Sequence, residues 1–421
     1  MNYESVTLNK LKQAKHIFLT GGAGVGKTTL TCKLIEAYEE DAKKVAKLAS
    51  TGMAATLIGG QTLHSFLDLG IASNLESLQN NGKLLLKKKI KKLISAMDLI
   101  VIDEISMVSA ELFELIALRL NQAEYSGALL VVGDFLQLPP VVKCSECVAF
   151  AFESMAWQKL AFEIVTLQKI YRTDDKAFIE LLHAVRFGLV DETVHNQLNN
   201  YIKPLPYDLS KFTFLFGKNN SASQHNREQL QHIDNELFIK EMQIVKHIKS
   251  VQEYEVKRFV EDARIEESLH LKVGVPVLFT RNSWNYFNGE RGVVVNIDST
   301  YIYVEKEDGY IVKLEQVAQE KTRWSEKIVK GKKELVQEVI FTLYQYPIKL
   351  AFAITIHKSQ GMSIANLIIQ TNEIFAPSQF YVALSRASNP QQLTLIAPNK
   401  QWYELAFVHL KAMAFVKGKC V

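Results

Sequence analysis

The chain has 421 residues, and its 49 basic and 45 acidic side chains give a formal charge of only +4. This length predicts several domains with sizeable cores, and the small charge permits nucleic-acid binding without arguing for it. No run of about 18 apolar residues is present, which argues against a membrane span. The amino terminus carries no charged-then-apolar leader, and four cysteines suit a reducing compartment, so we expect a cytoplasmic protein.

The most informative segment is a glycine-rich loop with the pattern Gly21-x-x-x-x-Gly26-Lys27-Thr28. An apolar, β-branched run precedes it and a helical pattern follows it, which is the context of a phosphate-binding loop. Its glycines let backbone N–H groups face anionic oxygens, and the following helix points its positive end at them. We expect Lys27 to reach the β- and γ-phosphates and Thr28 to hold Mg²⁺. The alternative is a glycine-rich turn with a surface lysine. The residues expected to contact the nucleotide here are Gly21, Gly22, Ala23, Gly24, Val25, Gly26, Lys27, Thr28 and Thr29.

Two later apolar runs, residues 98–103 and 128–134, each end in an aspartate. Such runs are typical of central parallel strands, whose carboxyl ends gather ligands. We expect Asp103 to hold Mg²⁺ and the adjacent Glu104 to polarise an attacking water. Gln137, just beyond the second run, could sense the γ-phosphate. The alternative for Asp103 and Glu104 is the acidic first turn of a helix.

The same alternation of strand and helix patterns returns at about 210–227 and 342–400, with strands predicted at 212–216, 367–370 and 392–396. Between these parts, short strands at 293–297, 301–304 and 310–314 are separated by turn sequences. This region predicts an antiparallel, hairpin-rich insertion. Cys144 and Cys147 form one Cys-x-x-Cys pair, which we interpret as loop thiols, with metal or redox chemistry as the alternative.

The order of the motifs resembles that of the Pif-type DNA helicases, in the RecD-like branch of superfamily 1B. The resemblance covers nearly the whole chain, and seven motifs in order make it specific. These motifs lie at residues 59–66, 103–107, 133–140, 152–157, 167–172, 355–361 and 381–387.

The resemblance implies an α/β protein with two RecA-like P-loop NTPase domains, whose parallel sheets are flanked by helices, and an inserted β-rich SH3-like domain. The implied domain boundaries place the first RecA-like domain at 1–166, the second at 167–228 and 342–421, and the insertion at 229–341. A small 1B insertion is implied near 67–95. Because the segment between Phe66 and Lys83 is short, this 1B wedge is expected to be reduced.

The implied activity is DNA-stimulated ATP hydrolysis that drives a helicase, with ATP and Mg²⁺ as cofactors, along single-stranded DNA in the 5′-to-3′ direction. Single-stranded and forked or structured DNA are the implied partners of a monomer that is cytoplasmic, or nucleoid-associated in a bacterium. DNA repair, recombination and telomere maintenance are the implied processes. Two alternatives are a RecD-type recombination translocase and a DNA-binding adaptor with a silent ATPase.

The resemblance also implies roles for individual residues. Arg172 and Arg386 would come from the second domain to stabilise transition-state charge, with surface salt bridges as the alternative for both. No convincing glutamine precedes the first strand to read adenine. The catalytic residues implied are Lys27, Glu104, Gln137, Arg172 and Arg386. Metal binding is implied for Thr28 and Asp103, and nucleotide binding also for Gln360 and Gly361. DNA binding is implied for Thr62, His64, Ser65, Phe66, Thr355, His357 and Lys358.

For Phe66 and for a run of lysines, a purely structural role is the alternative to DNA binding. Phe66 could stack on a base or belong to the core. The lysines between Lys83 and Lys92 could form a DNA track, but apolar residues at helical spacing run through them. A solvated helix face is therefore the better interpretation of these lysines.

Overall fold

The computed structural model describes residues 3–140, 148–263, 265–329 and 332–419, and they form two compact units. The first unit takes the described residues of Met1–Asp174, Ala376–Ser378 and Phe407–Val421. The second takes those of Asp175–Phe375 and Gln379–Ala406. Cys144 and Cys147 lie outside the described residues. Among the described residues, no helix is long and apolar enough to cross a membrane.

A six-stranded sheet is the centre of the first unit, with the strand order β3-β2-β4-β5-β1-β6 and parallel pairing throughout. β1, β4 and β5 are buried along their whole length, as the apolar runs predicted. The strands are β1 (Ile17–Gly21), β2 (Val45–Ala49), β3 (Gln61–Thr62), β4 (Leu99–Asp103), β5 (Ala128–Gly133) and β6 (Glu163–Leu167).

Helices of the first unit start where the sequence offers caps and apolar spacing. Ser109, for example, accepts the backbone N–H of Leu112 and so begins α7, whose apolar side chains at Leu112, Ile116 and Leu120 are buried. These helices are α1 (Tyr3–Lys12), α2 (Lys27–Glu40), α3 (Gly52–Leu57), α4 (Leu63–Phe66), α5 (Leu75–Asn80), α6 (Lys88–Ser95), α7 (Ala110–Gln122) and α8 (Met155–Leu160).

The second unit contains another parallel sheet, of four strands in the order β18-β7-β19-β20. The strands of the whole second unit, in this sheet and in others, are in chain order β7 (Thr213–Phe216), β8 (Phe238–Glu241), β9 (Gln243–Lys246), β10 (Ser268–Leu271), β11 (Pro276–Phe279), β12 (Arg291–Ile297), β13 (Ile302–Lys306), β14 (Ile311–Leu314), β15 (Val317–Val329), β16 (Lys332–Gln345), β17 (Ile348–Leu350), β18 (Ala353–Thr355), β19 (Leu367–Ile369) and β20 (Leu393–Leu395). Its helices are α9 (Lys176–Arg186), α10 (Glu192–Asn199), α11 (Asn219–Gln231), α12 (Glu253–Ala263), α13 (Gln379–Leu384) and α14 (Trp402–Leu405).

The β-rich region between the two parts of this sheet is antiparallel, as predicted. Five strands pair in the order β14-β13-β12-β11-β17, and β15 and β16 form a long hairpin joined by β9. Alternate side chains of β11 to β14, such as Val277, Val304 and Val312, fill one buried cluster. The SH3-like nature of this insertion stays a prediction.

The chain returns to the first unit at its far end through α15 (Leu410–Lys419). Phe415 on α15 stacks on Phe152 at 4.2 Å between ring centroids and packs against Phe18 and Phe135. The expected division at residue 166 therefore differs from the structure, since β6 and the residues up to Asp174 stay with the first unit. Residues 407–421 were expected in the second domain, but the structure places the described part of this range in the first unit.

Arg119 has a fully buried guanidinium that holds the segment between α4 and α6, residues 67–87, by hydrogen bonds. Its Nε donates to the carbonyl of Leu67 at 3.1 Å, and its Nη2 donates to the carbonyl of Lys83 at 2.6 Å. Its Nη1 donates to the carbonyl of Leu84 at 3.1 Å and to Oε1 of Gln122 at 2.8 Å. One side chain of α7 thus binds both the beginning and the end of this segment.

We expect Arg119→Met to lower the thermal midpoint of the protein markedly, because it leaves several buried carbonyls without donors. Losing a buried charged partner of this kind costs on the order of 3 kcal/mol. Differential scanning calorimetry measures the change, and Lys89→Met at an exposed site on α6 is the matched control. If both variants melt like the wild type, the Arg119 network does not stabilise the fold.

Candidate functional site

The phosphate-binding loop connects β1 to α2, as the sequence predicted. The Nζ of Lys27 donates to the carbonyls of Gly21 at 2.9 Å and Gly22 at 2.8 Å, so the ammonium lies within the curve of the loop. Helix α2 begins after Gly26, which has no side chain that could cap the first N–H groups of the helix. These donors and the ammonium make the loop a site for a polyanion.

Two glycines of the loop hold conformations that other residues rarely adopt. Gly24 has φ of 75° and Gly26 has φ of 83°. A Cβ on Gly24 would come within 2.9 Å of the Cβ of Arg172. The glycines are therefore required by geometry as well as by the ligand, and the loop fits the phosphates of a nucleotide.

Asp103 and Glu104 follow β4 at the same edge of the sheet. The backbone N–H of Glu104 donates to Oδ1 of Asp103 at 2.8 Å, and the Oγ of Ser50 donates to the carbonyl of Glu104 at 3.1 Å. Burial, and then the Glu104 carboxylate, raise the pKa of Asp103, while Lys27 acts in the opposite direction. The three predicted side chains are therefore close enough to interact electrostatically.

Glu104 itself adopts a left-handed conformation with φ of 53°, unusual for a residue with a side chain. Ser50 on the neighbouring loop fixes the turn and was missed from the sequence, because a lone serine after a strand carries no signal. Two crowded carboxylates, one of them buried, provide the acidic oxygens that a divalent cation prefers. The residues fit Mg²⁺, with Asp103 and the exposed Thr28 hydroxyl as its candidate ligands.

Gln137 lies in a turn organised by Asp134. The side chain of Asp134 accepts the backbone N–H of Leu136 at 3.1 Å and the Nε2 of Gln137 at 3.4 Å. The carbonyl of Asp134 accepts the Gln137 N–H at 2.8 Å. Asp134 thus orients Gln137, a role that a carboxylate three residues before a polar side chain could have suggested.

Arg172 belongs to the first unit, which corrects the expectation that it comes from the second. The segment after β6 runs along the phosphate-binding loop, and the N–H of Tyr171 donates to the carbonyl of Gly24 at 2.8 Å. Arg172 is consequently adjacent to the loop through the backbone of its own unit. Sequence order alone could not show that the unit continues past β6.

Arg386 lies in the second unit and is only 2% exposed, so the surface salt-bridge alternative is wrong for it. Its guanidinium donates to the carbonyls of Val382 at 2.9 Å and Ser359 at 3.1 Å, and to Oγ of Ser385 at 2.8 Å. The Nε2 of Gln360, next to Ser359, is buried and has no hydrogen-bond partner among the residues that the structure describes. An unsatisfied amide donor of this kind suits an anionic oxygen acceptor.

Of the DNA-binding candidates in the first unit, Phe66 is contradicted by the structure. Its ring is 2% exposed, so the core alternative holds and no base can stack on it. Thr62 ends β3, His64 is half-buried, and Ser65 is exposed with its Oγ donating to Gln61 at 3.3 Å. These three polar side chains remain candidates.

In the second unit, Thr355 is buried and its hydroxyl accepts the backbone N–H of Lys358 at 3.4 Å. It therefore shapes the turn rather than offering its hydroxyl to solvent. His357 and Lys358 are half-buried on the short helix His357–Ser359 that follows.

The lysines near α6 support the interpretation as a solvated face. Lys83 and Lys87 pair with Asp68 at 2.7 and 3.5 Å, and Lys91 pairs with Glu124. Leu93, Ile94 and Met97 are buried beneath them. The β-rich insertion also contains a run of lysines, Lys327, Lys330, Lys332 and Lys333, and the side chains of residues 326–335 lie outside the described part of the chain.

We expect Asp103→Asn to stabilise the ligand-free protein, and more so at about pH 8 than at about pH 5.5. The folded-state pKa of Asp103 is raised, so stability falls as pH rises from the unfolded pKa towards the folded one. Asparagine does not titrate and escapes this loss. Thermal midpoints at both pH values in EDTA, with Asp174→Asn as the exposed control, measure it. An advantage independent of pH would contradict the effect.

Comparisons with known proteins agree with the motif order. The family model of PIF1-like helicase matches residues 3–196. The ATP-dependent DNA helicase Pif1 of Campylobacter jejuni is 38% identical, with 96% of this chain and 93% of that protein covered.

Two solved structures cover 99% of this chain and 96% of their own chains at 26% identity. They are Pif1 of Bacteroides sp. in complex with ADP-AlF4, with a TM-score of 0.83, and Bacteroides Pif1 bound to single-stranded DNA, with a TM-score of 0.66. From the motifs, the site and these relatives together, the chain belongs to the PIF1-like helicase family.

Proposed function

We propose that the chain is an ATP-dependent DNA helicase that moves along single-stranded DNA, in the 5′-to-3′ direction that the family resemblance implies. The observation that carries the proposal is the gathering of Lys27, Asp103, Glu104 and Gln137 at the carboxyl edge of one parallel sheet. The Campylobacter jejuni relative is named an ATP-dependent DNA helicase, and the two Bacteroides structures are complexes with ADP-AlF4 and with single-stranded DNA.

The phosphate-binding loop would hold the triphosphate. Lys27 donates to two loop carbonyls, and exchanging those neutral acceptors for phosphate oxygens would strengthen its hydrogen bonds. Thr28 and Asp103 would hold Mg²⁺, which would neutralise charge on the phosphates.

Hydrolysis would use the side chains around Asp103. Glu104 is half-buried and would orient and deprotonate the attacking water, while Gln137, held by Asp134, would orient the γ-phosphate or that water. Arg172 and Arg386 would stabilise the negative charge of the transition state. Gln360, with its unsatisfied amide, and Gly361 would add a further nucleotide contact.

DNA would be held through its backbone. Thr62, His64 and Ser65 of the first unit, and His357 and Lys358 of the second, offer hydroxyl, imidazole and ammonium groups that suit phosphate oxygens. Contacts of this kind do not read sequence and weaken as salt rises. We further propose that the protein acts as a monomer in the cytoplasm, on single-stranded and forked DNA.

We expect single-stranded DNA to stimulate ATP hydrolysis by the wild type, and Lys27→Ala to lower the stimulated rate about 100-fold or more. The loss of the ammonium removes charge stabilisation at the phosphates. A phosphate-release assay with and without DNA measures both rates, and Lys33→Ala, an exposed change on the same helix, is the control. Turnover that is independent of DNA would contradict a motor. Turnover that is absent in the wild type would contradict it as well and would favour a DNA-binding adaptor with a silent ATPase.

We expect Arg386→Lys to bind nucleotide and single-stranded DNA like the wild type but to hydrolyse ATP at least about tenfold more slowly. Lysine keeps the charge and loses the planar fork that bonds Val382, Ser359 and Ser385. Binding titrations, steady-state turnover and a thermal midpoint are measured together. Unaltered turnover would remove Arg386 from the chemistry, and a lowered midpoint with lost binding would assign it to structure alone.

A further inference from the structure

Trp284 is a large apolar side chain that the fold leaves in solvent. It lies on the loop between β11 and β12 and is 86% exposed. Two other tryptophans, Trp157 and Trp402, are buried in the cores of their units. Phe287 on the same loop is also exposed, so the loop presents two large aromatic side chains to solvent.

The loop that carries Trp284 is well ordered by its own contacts. The N–H of Ser283 donates to the carbonyl of Tyr286 at 2.8 Å, and the N–H of Asn288 donates to Oδ1 of Asn282 at 2.8 Å. The Tyr286 ring stacks on Phe279 at 4.4 Å and an angle of 15°. Trp284 is therefore presented on a rigid turn, so little conformational entropy is lost when a ligand covers it.

The same loop packs against the segment that follows the DNA-binding candidates of the second unit. Gly289 has φ of 88°, and a Cβ there would come within 2.8 Å of the carbonyl of Ser363. The N–H of Met362 in turn donates to the carbonyl of Ser359 at 3.0 Å. The loop is thus anchored one short segment away from the turn that bears Lys358.

Positive charge accompanies this anchoring point. Arg281 lies three residues before Trp284 on the same loop, and the Nζ of Lys349 contacts the Sδ of Met362 at 3.7 Å. The nearby carboxylate of Glu290 is paired with Lys306 at 3.0 Å. The carboxylate of Glu266 interacts electrostatically with Lys349 and Lys358, so the guanidinium of Arg281 is the charge that accompanies Trp284 on its own loop. An exposed aromatic ring on the same loop as a guanidinium matches the chemistry of a nucleic-acid strand, which offers both a base and a phosphate.

We propose that Trp284 stacks on a base of the single-stranded DNA held by the second unit, which extends the site beyond the motif residues. The inference rests on the proposed function, because it supplies a further contact to the same DNA. Stacking on an indole is open to every base, so this contact adds affinity without sequence preference.

The test compares three variants in binding a fluorescein-labelled oligothymidylate of about 16 nucleotides by fluorescence anisotropy. Trp284→Ala is expected to raise Kd roughly 5- to 100-fold, the effect of one lost stacking contact. Trp284→Phe keeps a ring and is expected to recover most of the affinity. Tyr207→Ala removes a fully exposed aromatic ring of the same unit and is expected to bind like the wild type.

Intrinsic fluorescence gives an independent readout. Unlabelled oligothymidylate is expected to quench the indole emission of the wild type and to quench Trp284→Phe far less, because Trp157 and Trp402 are buried. Trp324 is partly exposed, so both proteins are compared in a Trp324→Phe background. Unchanged affinity in Trp284→Ala, or equal quenching in both proteins, would overturn the stacking role. So would a loss of self-association by light scattering with DNA affinity intact, which would assign Trp284 to a protein contact. No DNA binding by the wild type would instead overturn the proposed function.

Discussion

The parallel register of β1, β5 and β4 is the constraint on which the nucleotide site depends. Thr20 pairs with Gly133, and Ile102 pairs with Val131, so the three strands end close to one level. The loops that follow them therefore meet at one edge, although their residues are separated by about 30 to 110 positions in the chain. Each motif alone is a loop after a strand; the register makes them one site.

This arrangement places two energetically unfavourable features side by side, a buried carboxyl group and a left-handed backbone conformation. Asp103 is buried next to the carboxylate of Glu104, and Glu104 holds a backbone conformation that side chains disfavour. The sheet and the hydrogen bond from Ser50 hold both in place. The two carboxylates are therefore already in position before phosphates arrive, and a ligand that binds this conformation stabilises the fold.

Sequence reasoning succeeded where one local property decides the outcome. The strands after residues 98, 128 and 212 were found because continuous apolar runs of that length fit a buried parallel sheet. Reasoning failed where the outcome depends on distant partners. Phe66 is equally suited to a base or to a core, and only the packing around it decides.

The surroundings of two arginines also depend on residues that are distant in the sequence. Arg172 lies on a segment that stays with the first unit because β6 pairs with β1, which local sequence does not reveal. Arg119 gives a faint signal as a charge between apolar positions of α7, but its acceptors are carbonyls 35 to 52 residues away. Backbone acceptors carry no side-chain signature, so such networks are invisible in the sequence.

The last helix connects these observations, because the first unit is completed from the far end of the chain. Phe415 of α15 packs on Phe18, which lies in β1, and on Phe135, which lies between Asp134 and Gln137. The packing behind the phosphate-binding strand and behind the Gln137 turn thus includes a helix that the backbone joins directly to the second unit at residues 406–407. The side chain that supports the turn bearing Gln137 is therefore supplied by a segment that follows the second unit in the chain, which no local pattern in the first 174 residues could reveal.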